Sequence, residues 1–280
     1  MPEIGEIQAH AERLATEFGG RTLAGFRPIT FYVLKTFSPD PAEAAGQRLN
    51  NVTTRGKYLR LHFDDVVFVI HLMQGGRLRP DEKQSAKPRG GQARWTFEDG
   101  TALLLTEAGT DKRAGVWVID ASLDLDHVEP LLGLGQDADT LTLTQLTSIL
   151  GENSMRIHGL LRRQGILAGV GRRLANDICH HAQISPFAMS GKFDDDHIEA
   201  LHAAIEACIA DSLSFERTQD EIVSSAKRPS VVHNKTGEPC PRCGDPIREV
   251  AYTRYTVNYC ATCQTAGKVL ADNTTSKFLK

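Results

Sequence analysis

Four of the chain's six cysteines fall in two pairs, Cys240-Pro-Arg-Cys243 and Cys260-Ala-Thr-Cys263, a C-x2-C-x16-C-x2-C array. That spacing suits two metal-binding knuckles joined by a hairpin. Four thiolates close a tetrahedral shell round one Zn2+ and leave no position open, so the metal is expected to be structural and its binding to fold the segment. Cys179 and Cys208 lie in helical surroundings and read as small buried hydrophobes. A second chemical feature stands at the other end of the chain. Pro2 follows a Met that aminopeptidase is expected to remove, because the second residue is small, and this would expose a secondary amine at the start of a helix. An α-amino group titrates near ~8, against ~10.4 for Lys, and the positive end of a helix dipole lowers it further, so a nucleophilic fraction exists at neutral pH. Glu3 beside it could move protons. Residues 2 and 3 alone also fit a Pro-Glu helix start chosen for its N1 and dipole preferences.

Charge singles out two further regions. Residues 227–280 sum to +5 and residues 154–184 to +4, the latter through Arg156, Arg162, Arg163, Arg172 and Arg173 against Asp177. With a net charge of −3, the rest of the chain carries −12. Basic segments on an acidic body suit local phosphate binding better than general adhesion to polyanions.

The elements that must position these residues follow from periodicity. Ile4, Ile7, Ala11, Leu14, Ala15 and Phe18 repeat at helical spacing up to Gly19-Gly20. Short β-rich runs come next: Leu59–Phe63, Val66–Ile70 after Asp64-Asp65, Trp95–Phe97, and Thr101–Leu105 after Asp99-Gly100. Closely spaced hairpins predict an antiparallel sandwich. Pro80 to Gln92, polar and rich in Lys, Gly and Pro, reads as an exposed mobile loop. Beyond about residue 138 the period turns helical, at Leu141–Leu150, Met155–Arg163, Arg172–His181 and His197–Leu213, with the glycine-rich Gln164–Gly171 turn between two helices. Asp211 to about Arg228 reads as a polar connector. At 280 residues, 41% hydrophobic and 24% charged, the chain is long enough for about two domains, and collagen-like, coiled-coil and wholly disordered classes are excluded. Without a long apolar run or a basic-then-apolar leader, the expected compartment is the cytosol.

Taken in order, five landmarks resemble the formamidopyrimidine-DNA glycosylase and endonuclease VIII family of base-excision-repair enzymes. They are Met1-Pro2-Glu3, Arg55-Gly56-Lys57-Tyr58-Leu59, Ile70-His71-Leu72-Met73-Gln74-Gly75-Gly76-Arg77-Leu78, Gln164–Gly171 with Leu174-Ala175-Asn176-Asp177, and Gly237 through Gln264. The resemblance implies an α+β fold: an N-terminal antiparallel β-sandwich flanked by helices (1–135), a helix–two-turn–helix domain (136–228) and a β-hairpin zinc finger (229–280). It implies a bifunctional DNA glycosylase and abasic-site lyase. Pro2 would attack the sugar's anomeric carbon and form a Schiff base, Glu3 would shuttle protons, and Lys57 would hold a phosphate beside the lesion. DNA contacts would come from Gln74, Lys112, Arg113, Gly169, Gly171, Arg172, Arg254 and Tyr255, and one zinc ion would bind Cys240, Cys243, Cys260 and Cys263. His71 is expected to be structural.

The chain also departs from the family's pattern. Gln74 stands where many members carry a Met wedge, with Met73 one position earlier. Lys112 and Ala114 stand where 8-oxoguanine enzymes carry Arg and Phe on an intercalating loop. Arg172 replaces the Asn that follows Gly-x-Gly, and Tyr255, beside Arg254, replaces the zinc-finger Arg. With only a short segment before the zinc module, oxidised pyrimidines or abasic sites are the expected substrates. The expected partner is damaged DNA, duplex or single-stranded, bound by a monomeric protein of the bacterial cytoplasm, with no membrane involvement. Two alternatives stay open: a relative that binds damaged DNA with little or no base excision, and an unrelated zinc-ribbon protein.

Overall fold

The structure, a computed structural model, describes residues 1–224, 227–253 and 255–270. Contacts divide the chain into two compact units, Met1–Leu134 with Leu213–Ser225, and Gly135–Ser212 with Ala226–Lys280.

In the first unit, helix α1 (Ile4–Phe18) buries Ile4, Ile7, Ala11, Leu14 and Phe18, the stripe that periodicity predicts. Eight strands follow: β1 (Leu23–Pro28), β2 (Asn51–Arg55), β3 (Tyr58–His62), β4 (Val66–His71), β5 (Gly76–Pro80), β6 (Gly91–Phe97), β7 (Ala102–Glu107) and β8 (Gly115–Asp120). They form two four-stranded antiparallel sheets, β1-β6-β7-β5 and β2-β3-β4-β8. Both hairpins expected from the sequence are present. Leu61 pairs with Phe68 across β3 and β4, and Trp95 with Leu103 across β6 and β7, where Gly100 supplies the left-handed residue of the turn at φ 84°.

Strand β4 explains why its sequence does not alternate. Val66, Phe68 and Ile70 join the central core with Trp95, Phe97 and Phe18, whereas Val67 and Val69 face a second cluster with Ile119 and Leu131. With both faces covered, an unbroken apolar run is the stable choice. Phe68 and Trp95 meet edge to face, ring centroids 5.7 Å apart.

Two segments differ from expectation. The 81–90 stretch is largely exposed, as expected, but its start is anchored on β6: Asp81 and Arg94 form an ion pair of 2.7 Å, with side chains 9% and 7% exposed. The supposed connector from Asp211 is in part helix and core. Glu216 is fully buried, Ile222 joins the core of the first unit, and Arg13 donates to the carbonyls of Glu216 and Gln219 at 2.8 and 3.2 Å. Arg217 also forks onto Glu12, 2.8 Å to each oxygen. A polar segment looked solvated because its cationic and anionic partners lie some 200 residues away in sequence.

The second unit runs β9 (Gln136–Asp137), α2 (Leu143–Glu152), α3 (Ile157–Leu161), β10 (Leu167–Ala168), α4 (Arg172–His181), α5 (Asp195–Arg217, its last residues in the first unit), β11 (Ile247–Ala251), β12 (Thr256–Cys260) and α6 (Ala261–Thr265). Thr142 opens α2 with a capping box to Gln145. Strands β11 and β12 pair antiparallel with Val250 opposite Val257, and carry the cysteine module. Among the described residues no helix is long and apolar enough to cross a membrane.

Candidate functional site

Behind an exposed Met1, the chain's next residues are buried in the first unit. Pro2 is buried, Glu3 is 3% exposed and Glu6 is 1% exposed. Glu3 caps α1 in a reciprocal capping box: its side chain accepts from the Glu6 amide, and its own N–H donates to Glu6 Oε2 at 2.6 Å. A carboxylate so placed lies against the positive end of the helix dipole.

Lys57 follows Gly56 (φ 55°) at the turn between β2 and β3, and its side chain is buried rather than solvated, with 6% of the residue exposed. His71 stands opposite Tyr58 in the β3–β4 ladder, ring to ring at 4.6 Å. Burial, then the Lys57 ammonium, then the terminal ammonium push the His71 pKa down to about 4. Lys57 and the chain terminus therefore converge on one neutral imidazole. His71 Nδ1 accepts the Met73 N–H at 3.1 Å, holding Met73 at φ 52°, a left-handed conformation that a residue with a Cβ adopts only when its surroundings fix it. His71, expected from the sequence to be structural, here pins the loop that follows β4.

Beside the terminus opens a cleft of about 640 Å³, lined by Met1, Met73, Gln74, Gly75, Glu107 and residues of the 108–113 loop. Gln74 is exposed in it. The loop is fastened from below, because Glu107 Oε2 accepts the amides of Arg113 (2.7 Å) and Ala114 (2.9 Å), and Lys112 Nζ donates to the Glu107 carbonyl. Arg113 is exposed and pairs with Asp111 at 2.5 Å. Ala114, read from sequence as the wedge position, is fully buried in the central core, so the loop tip lies before it. Glu107 itself gave no sequence signal: an acidic residue closing an apolar strand usually faces water.

In the second unit the glycine turn is held by Gln164, whose Nε2 donates to the Arg162 and Val170 carbonyls at 2.9 Å each, and whose Oε1 accepts the Gly169 N–H at 3.0 Å. Gly169, at φ 97°, meets a backbone demand that other residues resist. Gly171 is the N-cap of α4, and Arg172 is exposed in its first turn. Tyr255 stacks on Tyr252 (4.8 Å, 15°) and lies parallel to His158 (6.4 Å, 18°), with the Arg162 guanidinium 4.4 Å from its ring centre. Arg254 lies outside the described residues.

The Sγ atoms of Cys240, Cys243, Cys260 and Cys263 all lie within 4.8 Å of one another, with Cys240 to Cys263 at 3.9 Å and Cys243 to Cys260 at 3.4 Å. A tetrahedral centre with bonds of ~2.3 Å spaces its sulfurs by ~3.8 Å, so the donor set fits one metal ion. His180 Nε2 lies 3.2 Å from Cys240 Sγ, and Gln264 accepts the Cys260 N–H while donating to the Ile184 carbonyl. Asp177, a second residue without a role in the sequence reading, accepts from Ser230 Oγ and from the amides of Val231, Val232 and His233, which fastens the approach to the cysteine module onto α4.

Comparison with known proteins fits this arrangement. Residues 1–113 match the model of the formamidopyrimidine-DNA glycosylase N-terminal domain. An uncharacterized formamidopyrimidine-DNA glycosylase-like protein of Mycobacterium tuberculosis is 38% identical over 149 residues, covering 52% of this chain and 94% of that protein. The formamidopyrimidine-DNA glycosylase of Chloroflexus aurantiacus is 28% identical over 279 residues, 94% of this chain and 98% of that one. Among solved structures, Lactococcus lactis Fpg in complex with DNA containing an abasic site superposes with a TM-score of 0.81 at 20% identity, covering 94% of this chain and 99% of that chain. The same enzyme with DNA containing an oxidized pyrimidine gives 0.83, covering 94% and 100%.

Proposed function

Because this chain belongs to the formamidopyrimidine-DNA glycosylase family, we propose that it removes oxidised bases from DNA and nicks the strand at the resulting abasic site, using the secondary amine of Pro2. The observation that carries the reading is the cleft: the chain's first residue lines it, Lys57 and the terminal ammonium act on the same His71, and Glu3 is buried next to Pro2. With Met1 removed, the Pro2 nitrogen lone pair attacks C1′, the glycosidic bond breaks, and its electron pair leaves with the base, which takes up a proton. Opening of the sugar at O4′ then leaves an iminium between Pro2 and C1′. Glu3 moves protons at the sugar, including the C2′ proton whose loss expels the 3′ phosphate. Lys57, at its hairpin turn, takes a phosphate beside the lesion.

A base still stacked in the duplex cannot be reached by a buried amine, so the target nucleotide must be turned out and its place held. Gln74 and Arg113, both lining the cleft, are the residues we propose for this. Phosphate contacts come from Arg172 and the α4 N-terminus in the second unit, and Zn2+ held by the four cysteines keeps the β11–β12 hairpin folded. Oxidised pyrimidines and abasic sites are the proposed substrates.

Borohydride trapping tests this reading. The processed protein should become covalently linked to abasic DNA, and Pro2→Gly or a retained Met1 should lower the yield at least a hundredfold. Undiminished trapping in both would refute it. A second reading, binding of damaged DNA without base excision, draws on Arg113 and Lys112 being engaged within their own loop. Selective binding of lesion DNA with neither base release nor nicking would establish it.

A further inference from the structure

His158 in helix α3 and Arg162, the residue that ends the helix in a still-helical conformation, are four apart and share one face. Both meet Tyr255, from the turn between β11 and β12. The Arg162 guanidinium lies 4.4 Å from the Tyr255 ring centre, and Tyr252 backs the ring at 4.8 Å with only 15° between planes. Tyr252 is held in turn by Arg156, whose Nη1 lies 3.4 Å from its hydroxyl and whose guanidinium sits over Phe187 at 5.5 Å.

A guanidinium seated over an aromatic ring is attracted to its face without spending its N–H donors, which stay available for hydrogen bonds. Among the described residues the Arg162 side chain makes no hydrogen bond and no ion pair, although it is half-buried and held by the stack. Its charged surroundings are cationic: Arg162 and Arg172 both depress the His158 pKa, and burial does so more than either. A guanidinium held over a ring, with no hydrogen bond or ion pair among the described residues and with Arg172 acting on the same His158, suits an anion whose acceptors match its fork.

We propose that Arg162 binds a DNA backbone phosphate and that Tyr255 is the residue that positions it. On this view Tyr255 contributes its ring rather than its hydroxyl. The loss of rotamer freedom that a free arginine suffers on binding is removed in advance by the stack. The inference rests on the reading that the chain binds DNA, and its test is kept apart from the cleft chemistry.

The test uses the full-length, metal-loaded protein and a labelled lesion-free duplex, with affinity measured by fluorescence anisotropy across a salt series. Each phosphate contact contributes about 0.9 to the slope of log K against log salt, so Arg162→Gln should lower the slope by about one and weaken binding about tenfold at ~0.1 M salt. Tyr255→Ala should reproduce both changes, and adding it to Arg162→Gln should change little more. Tyr255→Phe should bind as the unmodified protein does. Should Tyr255→Ala not fold, Arg162→Gln and Tyr255→Phe decide the matter alone. An unaltered slope in Arg162→Gln overturns the proposal, as does a Tyr255→Phe loss matching Arg162→Gln, which would give the phosphate to the hydroxyl. Absence of duplex binding by the unmodified protein would instead sink the DNA-binding reading, whereas failure of borohydride trapping would leave this inference standing.

Discussion

Glu107→Ala should loosen the 108–113 loop without unfolding the sandwich. Glu107 is only 3% exposed and accepts the Arg113 and Ala114 amides at 2.7 and 2.9 Å, so removing its side chain leaves two donors to find new partners. Arg113 is exposed, and water can take its N–H. Ala114 is fully buried, so its N–H stays unsatisfied unless the loop opens. A hydrogen bond to a charged group contributes about 1.5–3 kcal/mol, and a stranded buried donor costs about 1–3 kcal/mol. Local stability should therefore fall by about 3 kcal/mol, roughly a hundredfold in the opening equilibrium at ~1.4 kcal/mol per decade. Native-state hydrogen exchange reads this directly: the Ala114 amide should exchange about a hundredfold faster, while amides in the middle of β4 keep their rates. Glu107→Gln keeps one acceptor oxygen and should lose about half as much. With the loop no longer presenting Arg113 at the cleft, trapping on a lesion base should fall more than trapping on a preformed abasic site. Unchanged exchange at Ala114, or equal acceleration throughout β4 and β8, would refute the view that this carboxylate acts locally on the loop.

Three further outcomes are expected. Chelating the metal should expose all four thiols of the cysteine module to a thiol reagent and abolish duplex binding, while the first unit keeps its thermal transition in calorimetry. Stability should decline as pH falls from about 6.5 to 4: His71, neutral when folded down to about 4, takes up its proton in the unfolded chain near ~6.5, so its contribution is complete above that range and lost below it, at most about 3 kcal/mol. Thermal melts of His71→Gln should show a shallower decline. Asp177→Ala should cost about 3 kcal/mol or more by stranding the donors of Ser230, Val231, Val232 and His233, and limited proteolysis should then cut near residues 230–236 before the rest of the chain.

The regular elements were legible because their chemistry is local. The α1 stripe, the Asp99-Gly100 turn and the paired cysteines each declare themselves within a few residues. Strands β1, β2 and β5 were harder to see, since their residues are only partly apolar and owe their conformation to neighbours in the sheets. The segment after Asp211 was misread for a related reason. Its charges look solvated until Arg13 and Glu12 are known to meet them. Tyr255 was recognised as a departure in the zinc hairpin, yet its ring contact with Arg162 joins residues 93 positions apart, and no spacing rule reports such a pair.

The residues that hold the site in shape share one feature that sequence reasoning underrates. His71 takes the Met73 amide, Glu107 those of Arg113 and Ala114, Gln164 that of Gly169, and Asp177 those of Val231, Val232 and His233. In each case a polar side chain in or beside a regular element satisfies main-chain donors of an adjoining loop, and that loop carries a residue proposed to touch DNA or leads to the metal module. Buried donors must be satisfied somewhere, and a loop without a ladder of its own obtains its partners from side chains. The two classes of residue should consequently respond differently to substitution. Removing a contact such as Gln74 should change DNA affinity or lesion choice at constant stability, whereas removing a pin such as Glu107 or Asp177 should lower stability and function together, because the loop's geometry and its hydrogen bonds are the same interaction.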